Sequence, residues 1–223
     1  MGPSSNGKRI IALPALAVFV FLCTAGGAQD SKISTSSRAQ HTSASTGTSS
    51  TVPTFEDISA RAGLTVAHIA SPEKKYIVES MSGGVGFIDC DGSGVLSALV
   101  VNGSTVERYK SGGDYMVTLY RQIGDRLARG AAVRFEDVTQ AAGLTRKGWG
   151  MGLAVADFDN DGVLDIFVTG YGGNALYRGL GNCKFEDVTE KAGVRGSGFM
   201  TGAAWADYDK DGFVDILDRK SVV

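Results

Sequence analysis

From residue 84 onward the chain alternates short apolar runs with polar, glycine-bearing turns, the pattern of β-strands joined by tight connections. Gly152-Leu-Ala-Val-Ala156 and Ile166-Phe-Val-Thr169 are two such runs, separated by the acidic stretch Asp157–Asp165. An earlier pair, Gly86-Phe-Ile88 and Ala98-Leu-Val-Val-Asn102, flanks a related stretch beginning at Asp89. Each acidic stretch is therefore predicted to join two strands of a small sheet. The chain reads as all-β.

The acidic turns carry the chemistry. Asp157-Phe-Asp-Asn-Asp-Gly-Val-Leu-Asp165 and Asp207-Tyr-Asp-Lys-Asp-Gly-Phe-Val-Asp215 lie fifty residues apart and place carboxylates at positions 1, 3, 5 and 9, with glycine at position 6. Alternation predicts that the four carboxylates of each loop face one point. Like charges at that separation disfavour ionisation, and a hard, oxygen-seeking ion such as Ca²⁺ relieves the repulsion. Glycine permits the sharp turn around it. The candidate ligands are Asp157, Asp159, Asp161, Val163 and Asp165 in one loop, and Asp207, Asp209, Asp211, Phe213 and Asp215 in the other. An EF-hand begins the same way, but it needs Glu at position 12 and flanking helices. Position 12 is Val168 in one loop and Asp218 in the other, and the flanks read as strands.

The repetition is wider than the loops. Phe135-Glu-Asp-Val-Thr recurs as Phe185-Glu-Asp-Val-Thr and, earlier, as Phe55-Glu-Asp-Ile-Ser, each followed by a short segment ending in Ala-Gly. We read these as packing anchors closed by a glycine turn. Leu119-Tyr-Arg121 matches Leu176-Tyr-Arg178. A weaker acidic loop precedes the other two, with Asp89 and Asp91 at positions 1 and 3 but Ser93 and Ser97 at positions 5 and 9. Hydroxyls are poorer calcium ligands, so that loop is expected to be weak or empty. Insertions lengthen its unit, giving the 68-residue spacing from Asp89 to Asp157. A period near fifty with several short strands per unit is the signature of propeller blades.

These residues resemble the FG-GAP/VCBS repeat, a calcium-looped blade. The closer similarity is to the bacterial cartilage acidic protein family, whose members often carry an ASPIC/UnbV segment. Lys75-Tyr-Ile-Val-Glu-Ser-Met-Ser-Gly-Gly84, the Phe-Glu-Asp units, Gly150-Met-Gly152 and Ala203-Ala-Trp-Ala-Asp207 carry it, over about residues 53 to 217. The resemblance implies a propeller of about seven or eight blades with calcium in the blade loops. It implies little about a ligand. The degraded first loop and the lack of an ASPIC/UnbV segment depart from the pattern.

Residues 1–28 read as a secretory signal peptide: Lys8 and Arg9, an apolar stretch to about Leu22, then small residues before a cut ahead of Gln29. A retained membrane anchor is the alternative, although the apolar run is short for a span. The Ser/Thr-rich stretch within 29–52 buries too little apolar surface to order itself and reads as a disordered linker. The repeats then occupy 53–223. Of 22 Lys and Arg, the leader removes two, leaving 20 against 24 Asp and Glu. No basic patch marks nucleic-acid binding. Cys90, at position 2 of its loop, reads as a small inward-packed residue rather than half of a bridge. A Cys90–Cys183 disulfide in an oxidising compartment is the alternative. His68 reads as structural, Trp149 and Trp205 as packing, and no nucleophile–base grouping or phosphate loop is present.

After Asp215 the chain runs Ile-Leu-Asp-Arg-Lys, where the preceding unit has Ile-Phe-Val-Thr, so the last strand is expected to be corrupted. Three units are visible, which leads us to expect a fragment of a larger propeller or an assembly with another chain. The functional expectation is an exported, calcium-stabilised interaction module, secreted or held in the cell envelope, with an unknown protein or glycan ligand. The alternatives are the N-terminal part of a propeller-containing enzyme acting on polysaccharide, and a calcium sensor.

Overall fold

The computed structural model describes residues 55–124 and 132–220, so the expected leader and linker lie outside the described residues. Among the described residues, eleven strands form three successive antiparallel sheets. The first contains β1 (Gly84–Ile88) and β2 (Ser97–Val101). A dipeptide strand, β3 (Asp114–Tyr115), leaves for the second sheet. The first sheet closes with β4 (Val117–Ile123) and β5 (Arg134–Asp137), in the order β1-β2-β4-β5. The second contains β6 (Lys147–Ala156), β7 (Asp165–Tyr171), β8 (Ala175–Gly179) and β9 (Phe185–Asp187), with β3 on its β6 edge. The third is the hairpin of β10 (Met200–Ala206) and β11 (Asp215–Lys220). The sequence period thus becomes a series of meanders whose first hairpin always carries the acidic loop. The all-β expectation holds, and the flanks are strands, as the position-12 argument required.

One difference lies at the last strand. β11 does not fail after Asp215: it pairs with β10 from Ala206↔Asp215 through Met200↔Lys220. Backbone hydrogen bonds make the ladder, and Leu217 and Asp218 lie exposed, so the strand does not require apolar side chains at those positions.

The Phe-Glu-Asp-Val-Thr segments are the outer strand and its exit. Asp137 Oδ1 accepts the backbone N–H of Thr139 at 3.0 Å and its hydroxyl at 2.6 Å. Thr139 Oγ1 in turn accepts the Leu119 N–H at 2.9 Å, tying the exit back to β4. Asp187, Thr189 and Leu176 repeat this arrangement in the second sheet. Each exit makes one helical turn (Thr139–Ala142, Thr189–Ala192) and ends on a left-handed glycine, Gly143 or Gly193. A Cβ on Gly143 would stand 2.5 Å from the Phe185 carbonyl oxygen, so the turn needs glycine for space as well as for its φ of 89°.

Successive sheets pack face to face. Between the first and second lie Ile88, Leu99, Val101, Val117, Leu119, Leu144, Ile166, Val168 and Tyr177, all buried. Alternation along β7 sends Phe167 to the opposite face, where it meets Leu176, Val188, Trp205 and Ile216 of the next interface. Trp205 stacks on Phe158 (centroids 6.3 Å, 7° between planes) and takes Phe167 edge-on at 6.1 Å. Trp149 is wholly buried near Tyr109 and Tyr171. Both tryptophans pack, as expected. His68 Nε2 donates to the Glu79 carbonyl, a structural role.

The first strands β1, β6 and β10 run side by side, and they approach at a glycine that each repeat places five residues before its first loop aspartate. A Cβ on Gly84 would lie 3.8 Å from Gly152 Cα. One on Gly152 would lie 3.0 Å from Thr201 O and 3.4 Å from Gly202 Cα. At Gly152 an added side chain would have to push a neighbour aside, whereas a Cβ on Gly84 makes only ordinary contact and one on Gly202 meets nothing within 4 Å.

Cys90 and Cys183 form a disulfide, with Cα atoms 4.6 Å apart. This corrects the inward-packed reading of Cys90. Cys183 lies in the β8–β9 turn, whose residues Asn182 and Cys183 both adopt positive φ, and its N–H donates to the Cys90 carbonyl at 2.9 Å. The bridge joins the first acidic loop to the second sheet across 93 residues of sequence.

Two expectations follow for stability. Gly152→Val should lower unfolding free energy by about 1–3 kcal/mol in denaturant titration, because the added methyls have no room between β6 and β10. Reducing the Cys90–Cys183 bond should lower it by up to about 4–5 kcal/mol, the chain-entropy value for a loop of that length. A reductant-insensitive midpoint would contradict the bridge.

Candidate metal centre

The three acidic hairpins share one backbone. Position 4 is left-handed in each (Gly92, Asn160 and Lys210, φ 67°, 57° and 63°), as is the glycine at position 6. The first aspartate organises the turn. Asp157 Oδ1 accepts the Asp161 N–H at 3.1 Å, and its Oδ2 accepts that of Gly162 at 2.8 Å. Asp207 does the same for Asp211 and Gly212, and Asp89 for Ser93 and Gly94. The turn conformation therefore survives in the first loop despite its lost carboxylates.

The ninth residue closes the ring. Asp165 is fully buried: its Oδ2 accepts the Phe158 N–H at 2.8 Å and its Oδ1 the Gly179 N–H at 2.7 Å. Asp215 accepts the Tyr208 N–H at 3.0 Å in a more open setting. The result is two clusters, Asp157–Asp159–Asp165 and Asp207–Asp209–Asp215, in each of which one ligating atom per residue lies within 4.8 Å of the others. The first is half-buried to buried, and the second is largely exposed.

Position 5 departs from the four-carboxylate expectation. Asp161 and Asp211 lie outside the clusters because each turns back to accept the N–H of position 7, from Val163 at 2.9 Å and from Phe213 at 2.8 Å. Val163 and Phe213 have no side-chain oxygen, so either could reach an ion only through its carbonyl. Asp89 and Asp91 join no three-acid cluster among the described residues.

Arginines from the third strands, which sequence reasoning took only as repeat markers, engage the loops. Arg178 on β8 places Nε 2.7 Å from Asp159 Oδ2 and donates from Nη2 to Asp161 Oδ2 at 2.7 Å. Arg121, its counterpart on β4, donates to Asp91 Oδ2 at 2.9 Å. The signal was present in the sequence as a basic residue at one position of both repeats. Asp159 keeps its other oxygen, Oδ1, buried with no hydrogen-bond partner. A buried charged acceptor left unmatched costs stability unless a cation meets it.

Every donor in the two clusters is a carboxylate oxygen, the set a hard dication of the alkaline-earth type takes and a thiophilic metal does not. The residues fit such an ion. Without one, burial first, and then the charges of Asp159 and Asp157, push the Asp165 carboxyl up to about 6, against the bonds from Gly179 and Phe158 that favour its ionised form.

The sequence profile described as an FG-GAP-like repeat matches residues 89–168 and 157–217. No curated protein matches the chain. Repeats of this type are propeller blades, which accounts for the three meanders and for the place of the acidic loop between the first two strands of each.

The Asp165 shift has a definite sign. Below about pH 4 the carboxyl is protonated in both states and costs nothing. Between about pH 4 and 6 the unfolded chain ionises first, so stability falls as pH rises through that window, by about 3 kcal/mol at most. Asp187 is exposed and, against partial desolvation, is held below the usual carboxylate range by Arg146 and Thr189, so its contribution is lost only at lower pH. In chelator, melting temperature should therefore fall from pH 4.5 to pH 7. A rise across that window would contradict the geometry.

Proposed function

This chain belongs to the FG-GAP-like repeat family, and from that premise we propose that it is an exported interaction module whose blade loops are braced by structural calcium. The observation carrying the calcium reading is the Asp157–Asp159–Asp165 cluster with Asp159 Oδ1 buried and unpartnered. A dication there would meet three carboxylates at once and remove their repulsion. Asp161, and Val163 through its carbonyl, would complete the shell. In the exposed copy, Asp207, Asp209 and Asp215 would hold the ion, with Asp211 and the Phe213 carbonyl completing its shell.

Export is supported by the charged-then-apolar leader and by the Cys90–Cys183 bond, since disulfides persist in oxidising compartments. No described helix is long and apolar enough to cross a membrane. Membership of the cartilage acidic protein group is the finer reading. The Lys75–Gly84 stretch supports it, folding into a segment stapled by the buried Glu79, which accepts the N–H groups of Ser71 and Val106. We place the activity in binding a protein or glycan rather than in catalysis.

At calcium about 100 times its dissociation constant, one site adds about 2.7 kcal/mol of stability. Calcium should therefore raise the melting temperature over that in chelator, and should also flatten the pH dependence set by Asp165. Asp159→Ala or Asp209→Ala should each remove part of the shift. Identical melting curves with and without calcium would refute the reading.

A further inference from the structure

The same four repeat positions fill both interfaces between sheets. Two stand on the first strand of the following sheet, four and two residues before its first loop aspartate. The other two stand on the preceding sheet, at loop position 2 and two residues after the ninth. At the second interface they are Ala203 and Trp205 against Phe158 and Phe167. At the first they are Leu153 and Val155 against Cys90 and Leu99. The outer sheets turn these positions to solvent. On β1 they are Val85 and Phe87, 68% and 61% exposed, and on the third sheet they are Tyr208 and Leu217, 78% and 66% exposed. The glycine five residues before each loop follows the same order. A Cβ on Gly84 would meet Gly152 and one on Gly152 would meet Gly202, but one on Gly202 meets nothing within 4 Å.

We propose that these are the two halves of a third interface of the same kind, formed when the Tyr208–Leu217 face of one copy of this chain docks on the Val85–Phe87 face of a second copy. The inference goes beyond the interaction-module reading and does not rest on calcium. The two faces match in chemistry, each offering one aromatic and one aliphatic side chain at positions that meet in the second interface. Phe87 takes the place of Trp205, and Tyr208 that of Phe158. The docked pair would therefore repeat the stack seen there at 6.3 Å and 7°. Gly84 of the second copy would enter the open space beside Gly202, as Gly202 itself stands beside Gly152. Exposed apolar groups gathered on a sheet face mark an association surface. The contact is head to tail, with each copy carrying one face of each kind, so it either closes into a ring or propagates. Each copy brings three sheets, and propellers close with about four to eight. Two copies fall within that range and three do not, which selects a closed pair.

The test is sedimentation velocity of the full chain over a concentration series. The unsubstituted chain should sediment at twice the chain mass. Phe87→Asp and Tyr208→Asp each spoil one face, and each alone should sediment as a single copy. Mixed in equal amounts they should recover a two-copy particle, because the intact Tyr208 face of the first variant meets the intact Phe87 face of the second. That recovery also shows that both variants are folded. A contact made through one face alone, like on like, would leave one of the two variants dimeric, and that outcome would overturn the proposal. So would a mixture that stays as single copies, or an unsubstituted chain that forms open-ended assemblies. An unsubstituted chain that is a single copy at every concentration would also overturn it, and would leave both faces to a different occupant.

Discussion

Three carboxylates gathered at the tip of one hairpin repel one another, and the rest of the molecule is built so that they stay together. Asp157 is held by the N–H groups of Asp161 and Gly162, and Asp165 by those of Phe158 and Gly179. The second of these clamps reaches from β7 to β8, so the charge cluster is bolted to the sheet rather than carried on a mobile tip. Its cost appears in the raised Asp165 carboxyl and in the orphaned Asp159 oxygen. Arg178 offsets part of that cost from outside.

The blades that carry these loops are held by three different means. Apolar side chains fill the space between sheets, with Trp205 set against Phe158 and Phe167 at the second interface. Gly152 lets β6 approach β10 closely. A disulfide then ties the first loop to the second sheet. Loop and interface are not separable, because Phe158 is both loop position 2 and the stacking partner of Trp205. Ion binding and blade packing would therefore reinforce one another.

Most of the architecture was legible in the sequence because each blade is specified locally. The Asp-x-Asp-x-Asp-Gly turn, the Phe-Glu-Asp-Val-Thr exit and the alternating strands lie within one unit, and all appear where the period placed them. What was not legible depends on contacts between units or on side-chain rotation. Cys90 and Cys183 are brought together only by packing of the first two sheets, and nothing local at either residue announces a partner 93 positions away. Asp161 and Asp211 share the odd-position pattern of true cluster members, yet each prefers the N–H two residues on. The last strand was misjudged from its charges, because a ladder open to solvent on one side does not require apolar side chains. The arginines were visible but unread, since repetition alone does not say which way a side chain reaches.

The account makes this chain a series of blades whose acidic hairpins share one turn, with Arg121 against the first, Arg178 against the second and Lys210 within the third. Its central claim is that a hard dication sits among Asp157, Asp159 and Asp165. The most direct measurement is a crystal structure grown in millimolar calcium with anomalous diffraction data. The account predicts an anomalous peak with oxygen ligands from those three carboxylates at about 2.3–2.6 Å. Ordered water or Arg178 in that position, with no ion in either full loop, would contradict it.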